Sequence, residues 1–174
     1  MNRLDTFGLA LVLIGGPCTG TGPVAPTTSS DPAVAEFVRL VNAVRRDNGC
    51  AELAWDDRLA EVARRHSADM IERGFFDHVN PSHQSPFDRL KAAGITYREA
   101  AENILYGTTE ASRALELWMS SAGHRANILT CSFTSQGVGR VEGHWTHLFV
   151  RPLPAGATRG TTSPRWRDSL QRCR

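Results

Sequence analysis

Long apolar runs and net charge are both scarce in this sequence. The longest apolar run, residues 7–14, has eight residues, whereas a helix that crosses a bilayer needs about 20. The formal charge of the 174-residue chain is only +2, which is too small to indicate nucleic-acid binding. A transmembrane span and a nucleic-acid partner are therefore not expected. The 41% hydrophobic content suits one domain with a core of ordinary size.

Short motifs that identify a hydrolase from sequence alone are missing as well. The chain contains neither an HExxH metal motif nor a GxSxG nucleophile elbow. It has six histidines, but no local spacing groups them as metal ligands. Any metal or catalytic site would therefore have to be assembled by the fold from distant residues.

Cysteine is sparse, and its four copies allow three disulfide pairings between which the sequence does not choose. Cys18 follows the apolar run, where a bacterial lipoprotein carries its lipid-modified cysteine. The preceding Gly-Gly-Pro at 15–17 is a poor match to a lipidation signal, so we do not expect lipid anchoring through Cys18. If Cys18 leaves with a signal peptide, Cys173 has no partner; if it is retained, these two cysteines can pair.

Composition divides the chain into three regions. Residues 1–30 combine a signal-like apolar core with a Gly/Pro/Thr/Ser-rich linker, which predicts export, a clipped or misassigned start being the alternative. Residues 31–151 form the foldable domain. Residues 152–174 are a basic tail in which we expect no fixed fold, the alternative being weak contact with an anionic surface. A location outside the cell or on the cell envelope is expected.

Helix signals occur from residue 31 to residue 129 of the domain. Asp31-Pro32 is typical of a helix start and Asn48-Gly49 of a helix end. A second helix is expected to begin at Asp56 or Asp57 and to end at Gly74. Further helices are predicted over residues 86–93, from a cap at Thr109 to a break at Gly123, and over residues 124–129.

Strand signals follow late in the domain. Residues 136–141 and 144–151 are predicted strands, joined by a tight turn at Glu142-Gly143. The second strand has apolar residues on both faces, which is typical of a central strand covered on two sides.

Six stretches of the domain, taken in order, resemble a known family. They are VNAVRRDNGCAELAWDDRLAEVARRHSADM (41–70), FFDHVNPSHQSPFDRLKAAG (75–94), AENILYG (101–107), LWMSSAGHRANIL (117–129), GVGRV (137–141) and HWTHLF (144–149). Their order and spacing resemble the CAP superfamily of cysteine-rich secretory, antigen 5 and pathogenesis-related proteins, in particular its bacterial SCP-domain branch. The resemblance covers roughly residues 34–150. It implies an α+β fold, a three-layer α/β/α sandwich whose small, mostly antiparallel sheet is flanked by helices, and a Cys50–Cys131 disulfide.

The same resemblance implies a polar cleft lined by His78, Glu102 and His144. His144 and His147 are three residues apart on a strand and point to opposite faces, so only one can line a given cleft. The family motif Gly-His-aromatic-Thr matches residues 143–146, which selects His144. Imidazole nitrogens suit Zn²⁺ or another divalent cation, so His78 and His144 are candidate metal ligands and Glu102 a candidate catalytic carboxylate.

One departure from the family pattern weakens the step to an enzyme. Members with a complete tetrad carry a second Glu on the long helix, and Ser121 stands at that position here. We expect His124 to line the cleft instead, the alternative being a helix-end histidine that binds backbone carbonyls. His66 falls in the apolar stripe of the second helix, which favours a core or edge histidine over a ligand.

The sequence leaves three functions open. The first is a secreted binding module, a monomer, whose cleft holds a small molecule, a lipid or cell-envelope component, or a divalent cation without catalysis. The second is a metal-dependent hydrolase or protease that uses His78, Glu102 and His144. The third is a metal-free serine hydrolase built from Ser121, His124 and Glu102.

Overall fold

The computed structural model describes residues 29–153. Both ends of the chain lie outside the described residues. They comprise the predicted export segment and linker up to residue 28 and the tail from residue 154, and they include Cys18 and Cys173. The described part forms five helices and four strands, in the order α1 Pro32–Asp47, β1 Ala54–Trp55, α2 Asp57–Glu72, α3 Pro86–Ala92, β2 Tyr97–Tyr106, α4 Ala111–Ser120, α5 Ala122–Ile128, β3 Ser135–Val141 and β4 His144–Pro152.

The first three helices begin and end close to the predicted residues. The Asp31 carboxylate accepts a hydrogen bond from the Ala33 backbone N–H at 2.9 Å and caps α1, and Asp56 caps α2 in the same way. Gly49 follows α1 with a φ of +75°, a conformation that favours glycine. Ser85 and Asp88 form a reciprocal capping box at the start of α3.

The predicted cap at Thr109 and break at Gly123 are wrong. Helix α4 has Glu110 at its N-cap, and the Thr108 hydroxyl accepts a hydrogen bond from the Glu110 N–H. The break lies at Ser121, whose extended backbone, with a ψ of 123°, ends α4 and starts α5. Gly123 lies within the first turn of α5, where a glycine disturbs a helix less than it does in the middle.

The sheet has the order β1-β3-β4-β2. Strand β1 pairs parallel with β3, and the other two pairings are antiparallel. The predicted hairpin of β3 and β4 is confirmed, with Glu142 at a φ of +49° in its turn. Strands β1 and β2 were not predicted. Residues 100–105 of β2 are buried on both faces, so the alternation of apolar and polar residues that marks a half-exposed strand is absent.

Helices cover both faces of the sheet, which confirms the three-layer sandwich. On one face α2 and α3 pack through Leu59, Val62 and Leu90 against Leu148 of β4. On the other face α1 and α4 pack around Phe37, Trp118, Trp145 and Phe149. Helix α2 lies so close to β3 that a Cβ on Gly137 or Gly139 would overlap the helix backbone.

The Cys50–Cys131 disulfide is confirmed, with the two Cα atoms 4.9 Å apart. Beside it the buried guanidinium of Arg45 donates hydrogen bonds to backbone carbonyls of Ala51, Ile128, Thr130 and Phe133. The disulfide and Arg45 together tie the end of α1 to the segment that follows α5.

Candidate functional site

Glu102 lies in the middle of β2, opposite Leu148 on the central strand β4. Its neighbours in the strand determine which face it takes. Ala101 belongs to the cluster on the α1 and α4 face, while Ala100 belongs to the cluster on the α2 face. Because side chains alternate along a strand, Glu102 projects towards α2. It is 3% exposed, so its charge must be compensated by protein groups.

Three basic side chains surround the Glu102 carboxylate. The His78 Nδ1 donates to Oε1 at 2.9 Å, and the Arg89 Nη2 donates to Oε2 at 2.8 Å. The His66 Nε2 lies 3.9 Å from Oε1. His66 belongs to α2, Arg89 to α3 and His78 to the loop between them, so the site joins the α2 layer to the sheet.

The charge state of Glu102 follows from these contacts. Burial by itself would raise the pKa of the Glu102 carboxyl, but the charge of Arg89 and the hydrogen bond from His78 outweigh it and lower the pKa to about 2. Glu102 is therefore ionised at neutral pH and paired with Arg89. A carboxylate with so low a pKa is a weak general base, since efficient bases have a pKa near the working pH.

His78 is oriented by this carboxylate. The ionised Glu102 only accepts hydrogen bonds, so Nδ1 of His78 carries a proton. In the neutral ring Nε2 is then a hydrogen-bond acceptor. This Nε2 is buried and has no hydrogen-bond partner within the described part of the chain. The arrangement resembles the carboxylate–histidine pairs that fix an imidazole for ligand contact.

His66 belongs to the site, although its apolar surroundings favoured a core or edge position. It is 1% exposed, and its Nε2 lies 3.0 Å from the Asp77 backbone carbonyl. Burial lowers the pKa of His66, so the ring is neutral at pH 7. A polar residue within the apolar stripe of α2 was the only sequence signal. Arg89 carried no signal, because it lies 13 residues from Glu102 in an otherwise ordinary short helix.

His144 lies apart from Glu102 in the register of the sheet. It begins β4, and the residue opposite Glu102 is Leu148, four positions along the strand, which corresponds to roughly 13 Å. Its ring stacks on Tyr106, with centroids 5.7 Å apart, and lies 6.4 Å from Phe76. Burial lowers the pKa of His144. The register therefore separates the His144 backbone from that of Glu102, and the site shared by His78, Glu102 and His144 stays a prediction.

His124 lies across the sheet from Glu102. The Asn103 side chain, which follows Glu102 in β2 and points to the opposite face, donates to the His124 backbone carbonyl at 3.1 Å. The His124 ring is buried beside Trp118. Asn103 thus connects the His124 backbone to the face of the sheet opposite Glu102, and the four-residue cleft stays a prediction.

The polar atoms around Glu102 are mostly engaged with one another. Over residues 29–153, no group of three or more His, Cys, Asp or Glu side chains is arranged to hold a metal ion. The atoms of His78 and Glu102 that face each other are already hydrogen-bonded, and Arg89 places a positive charge on the second carboxylate oxygen. A cation that bound the Glu102 carboxylate would have to displace both partners, whereas a cation at Nε2 of His78 would displace neither.

A cavity of about 560 Å³ adjoins the site between α2, α3 and the turn around residues 80–84. His66 and Arg89 contribute to its wall, so they belong both to the cavity and to the surroundings of Glu102. The turn is held by Asn80, whose side chain bonds Asp69 and the backbone N–H of Gln84. The cavity is therefore a formed feature of the α2 face.

The sandwich, with AENI on β2 and the Gly-His-Trp-Thr motif entering β4, defines a class of α/β/α domains. The model of the cysteine-rich secretory protein family, CAP, matches residues 38–150, and the chain belongs to this family. The uncharacterized protein YkwD of Bacillus subtilis is 42% identical over 130 residues, which are 71% of this chain and 51% of YkwD. The chain thus spans about half the length of that relative.

Solved structures agree with this assignment. A crystal structure of an extracellular SCP-domain protein from Bacillus anthracis has a TM-score of 0.65 at 35% identity, covering 67% of this chain and 39% of that one. An outer surface protein from Borrelia burgdorferi has a TM-score of 0.67 at 17% identity, covering 72% and 97% of the two chains. At that identity the likeness concerns the fold alone. Among residues 29–153, no helix combines the length and apolar character needed to cross a membrane.

Proposed function

We propose that this CAP domain is an extracellular binding module whose site around Glu102 holds a small polar ligand without catalysing its reaction. The observation that carries the proposal is the state of Glu102, which is ionised, buried and already neutralised by Arg89. Such a carboxylate orients His78 and is poorly suited to act as a base or to attract a cation.

An extracellular location rests on two observations. The Cys50–Cys131 disulfide fits an oxidising compartment. The Bacillus anthracis protein that is 35% identical is described as extracellular. Export of this chain is part of the proposal.

A fragment screen followed by two-dimensional ¹H–¹⁵N NMR tests the proposal. Polar fragments at millimolar concentration should shift the signals of residues around His78, Glu102 and Arg89, and His78→Ala should abolish those shifts. His83→Asn is the matched control, because His83 is exposed and has a φ of 59° that asparagine tolerates. Shifts confined to other surfaces, or shifts that persist in His78→Ala, would contradict the proposal.

Zinc titration separates this proposal from the metal-dependent hydrolase and from cation binding. We expect calorimetry with zinc chloride to show no micromolar site that depends on His78 or Glu102. Micromolar zinc binding that both His78→Ala and Glu102→Gln abolish would establish the cation site instead. Cleavage of a peptide library, with the same dependence on zinc and His78, would establish the hydrolase.

A further inference from the structure

The cavity beside the Glu102 site has a mixed wall. Apolar groups of Val62 and Ala93 lie beside polar groups of His66, Asp69, Asn80 and Arg89. Most of these polar groups are already paired. The Asp69 carboxylate bonds Arg73 and Asn80, and the two oxygens of Glu61 hold Arg64 and Arg65 at the cavity rim.

Two residues of the wall each have one nitrogen that finds no hydrogen-bond partner among residues 29–153. His66 is fully buried as a side chain, and its Nδ1 has no hydrogen bond. The Arg89 side chain is 10% exposed, and its Nε has no hydrogen bond although Nη1 and Nη2 donate to His78, Gln84 and Glu102. Buried polar groups normally find a partner, so these two nitrogens mark a place where a ligand can supply one.

The two nitrogens differ in what they require. The Nε2 of His66 faces the Asp77 carbonyl, which only accepts hydrogen bonds, so Nε2 carries the proton of the neutral ring. Nδ1 of His66 is then an acceptor. Nε of Arg89 is always a donor. A partner for both must therefore offer one hydrogen-bond acceptor and one donor.

The charges of His66 and Arg89 further restrict the class of ligand. Burial lowers the pKa of His66, so the ring adds no positive charge at pH 7, and the charge of Arg89 is balanced by Glu102 at 2.8 Å. A carboxylate or phosphate would meet the lone pair of His66 Nδ1, and the charge of Arg89 is already compensated. The other arginines of the wall, Arg64, Arg65 and Arg73, are paired with Glu61 and Asp69. A neutral group that both donates and accepts suits these two nitrogens better.

We infer that the cavity between α2 and α3 binds a neutral, amide-bearing ligand, whose carbonyl accepts from Arg89 Nε and whose N–H donates to His66 Nδ1. The inference rests on the proposed binding function and names its ligand class. Both nitrogens are covered in the structure, so binding includes a local movement of the side chains over them. The amide belongs either to an acetamido sugar or to a peptide.

Calorimetry and ¹H–¹⁵N NMR with four probes test this inference on the full chain. The amide probes are tri-N-acetylchitotriose and acetyl-trialanine amide, and the controls are cellotriose and sodium acetate. We expect at least one amide probe to bind and to shift signals of α2, α3 and residues 80–84. The probe that binds decides between sugar and peptide. Acetate or cellotriose binding as tightly as both amide probes would overturn the inference.

Variants distinguish a contact from a structural role. His66→Gln keeps a donor for the Asp77 carbonyl and loses the Nδ1 acceptor, whereas His66→Asn keeps an acceptor near Nδ1. Arg89→Lys keeps the positive charge beside Glu102 and loses Nε–H. We expect His66→Gln and Arg89→Lys to weaken amide binding at least tenfold and His66→Asn to weaken it less, with Arg39→Ala on α1 as an unaffected control.

The experiments distinguish a failure of the inference from a failure of the proposed function. If His66→Asn and His66→Gln lose amide binding equally while circular dichroism shows an unchanged fold, Nδ1 of His66 is not the acceptor for the ligand. If polar fragments shift His78 and Glu102 while neither amide probe shifts the cavity, the proposed function stands and the inference fails. If nothing shifts either region, both fail.

Discussion

Glu102 and Asn103 are consecutive residues of β2, yet the two faces of the sheet use them differently. On the α2 face Glu102 is an ionised carboxylate between His78 and Arg89. On the α4 face the Asn103 amide donates to the His124 carbonyl and accepts from Asn127. The first arrangement holds buried charge, and the second holds neutral amides that connect β2 to α5.

A second pair of residues repeats this contrast. His66 on the α2 face lies 3.9 Å from a carboxylate. His147 on the other face bonds the Gln136 side chain, and burial lowers the pKa of His147 well below its usual value. A buried histidine is therefore not by itself a functional residue. What distinguishes the α2 face is an ion pair inside the fold, next to a cavity.

Breaking the ion pair should have the largest effect. Arg89→Met leaves the Glu102 charge buried without its main partner, so we expect a loss of about 3–5 kcal/mol in the free energy of unfolding, measured by urea denaturation. The double variant Arg89→Met/Glu102→Gln should recover part of it, because no unpaired charge remains. Arg113→Met removes an exposed pair with Glu116 and should change stability by less than about 1 kcal/mol. A similar loss in both single variants would contradict a special role for the α2 face.

Acid should weaken the α2 face selectively. The pKa of Glu102 is lowered from 4.5 to about 2 in the folded protein, so its contribution is complete above the unfolded pKa and is lost as pH falls from about 4.5 towards 2. This contribution of Glu102 to the free energy of unfolding is roughly 3 kcal/mol. Urea denaturation between pH 2 and pH 6 should show a steeper decline for the native chain than for Glu102→Gln. Parallel curves would show that Glu102 does not titrate as described.

The amide network on the other face should matter for stability only. Asn103→Ala leaves the buried His124 carbonyl and the Asn127 amide with lost hydrogen bonds, so we expect a loss of about 1–3 kcal/mol by thermal or urea unfolding. Ligand-induced shifts around His78 should be retained in this variant. Their disappearance while the fold persists would mean that the two faces are functionally coupled.

His144 should have the smallest effect. Its ring stacks on Tyr106 at the start of β4, so His144→Ala should cost less than about 1.5 kcal/mol. Binding of polar fragments at His78, followed by NMR, should change less than twofold. A tenfold loss of binding would place His144 in the shared site that the sequence predicted.

The sequence predicts the frame of this fold well, for identifiable reasons. Asp31, Asp56 and Ser85 mark helix starts because their side chains cap backbone N–H groups locally. The hairpin at Glu142-Gly143 is likewise a local signal. Strand β2 was not predicted because it is buried on both faces, and its buried residues are both polar and apolar.

The site was predicted only in part. The His78–Glu102 contact is present as the family resemblance implied. Arg89 and His66 were missed, because an arginine on a short helix and a histidine in an apolar stripe give no local sign of a partner that is distant in sequence. Placing His124 and His144 at the same site stays a prediction, because the distance between side chains depends on the face and the register of β2, and the sequence predicted neither.

The pKa of the Glu102 carboxyl, followed by ¹³C NMR of the side-chain carboxyl from pH 1.5 to pH 7, tests the central claim most directly. The claim is that Glu102 is an ionised, neutralised carboxylate that orients His78. It predicts a pKa near 2 in the native chain and a clear rise in Arg89→Met. A pKa at or above the usual 4.5 in the native chain would contradict it.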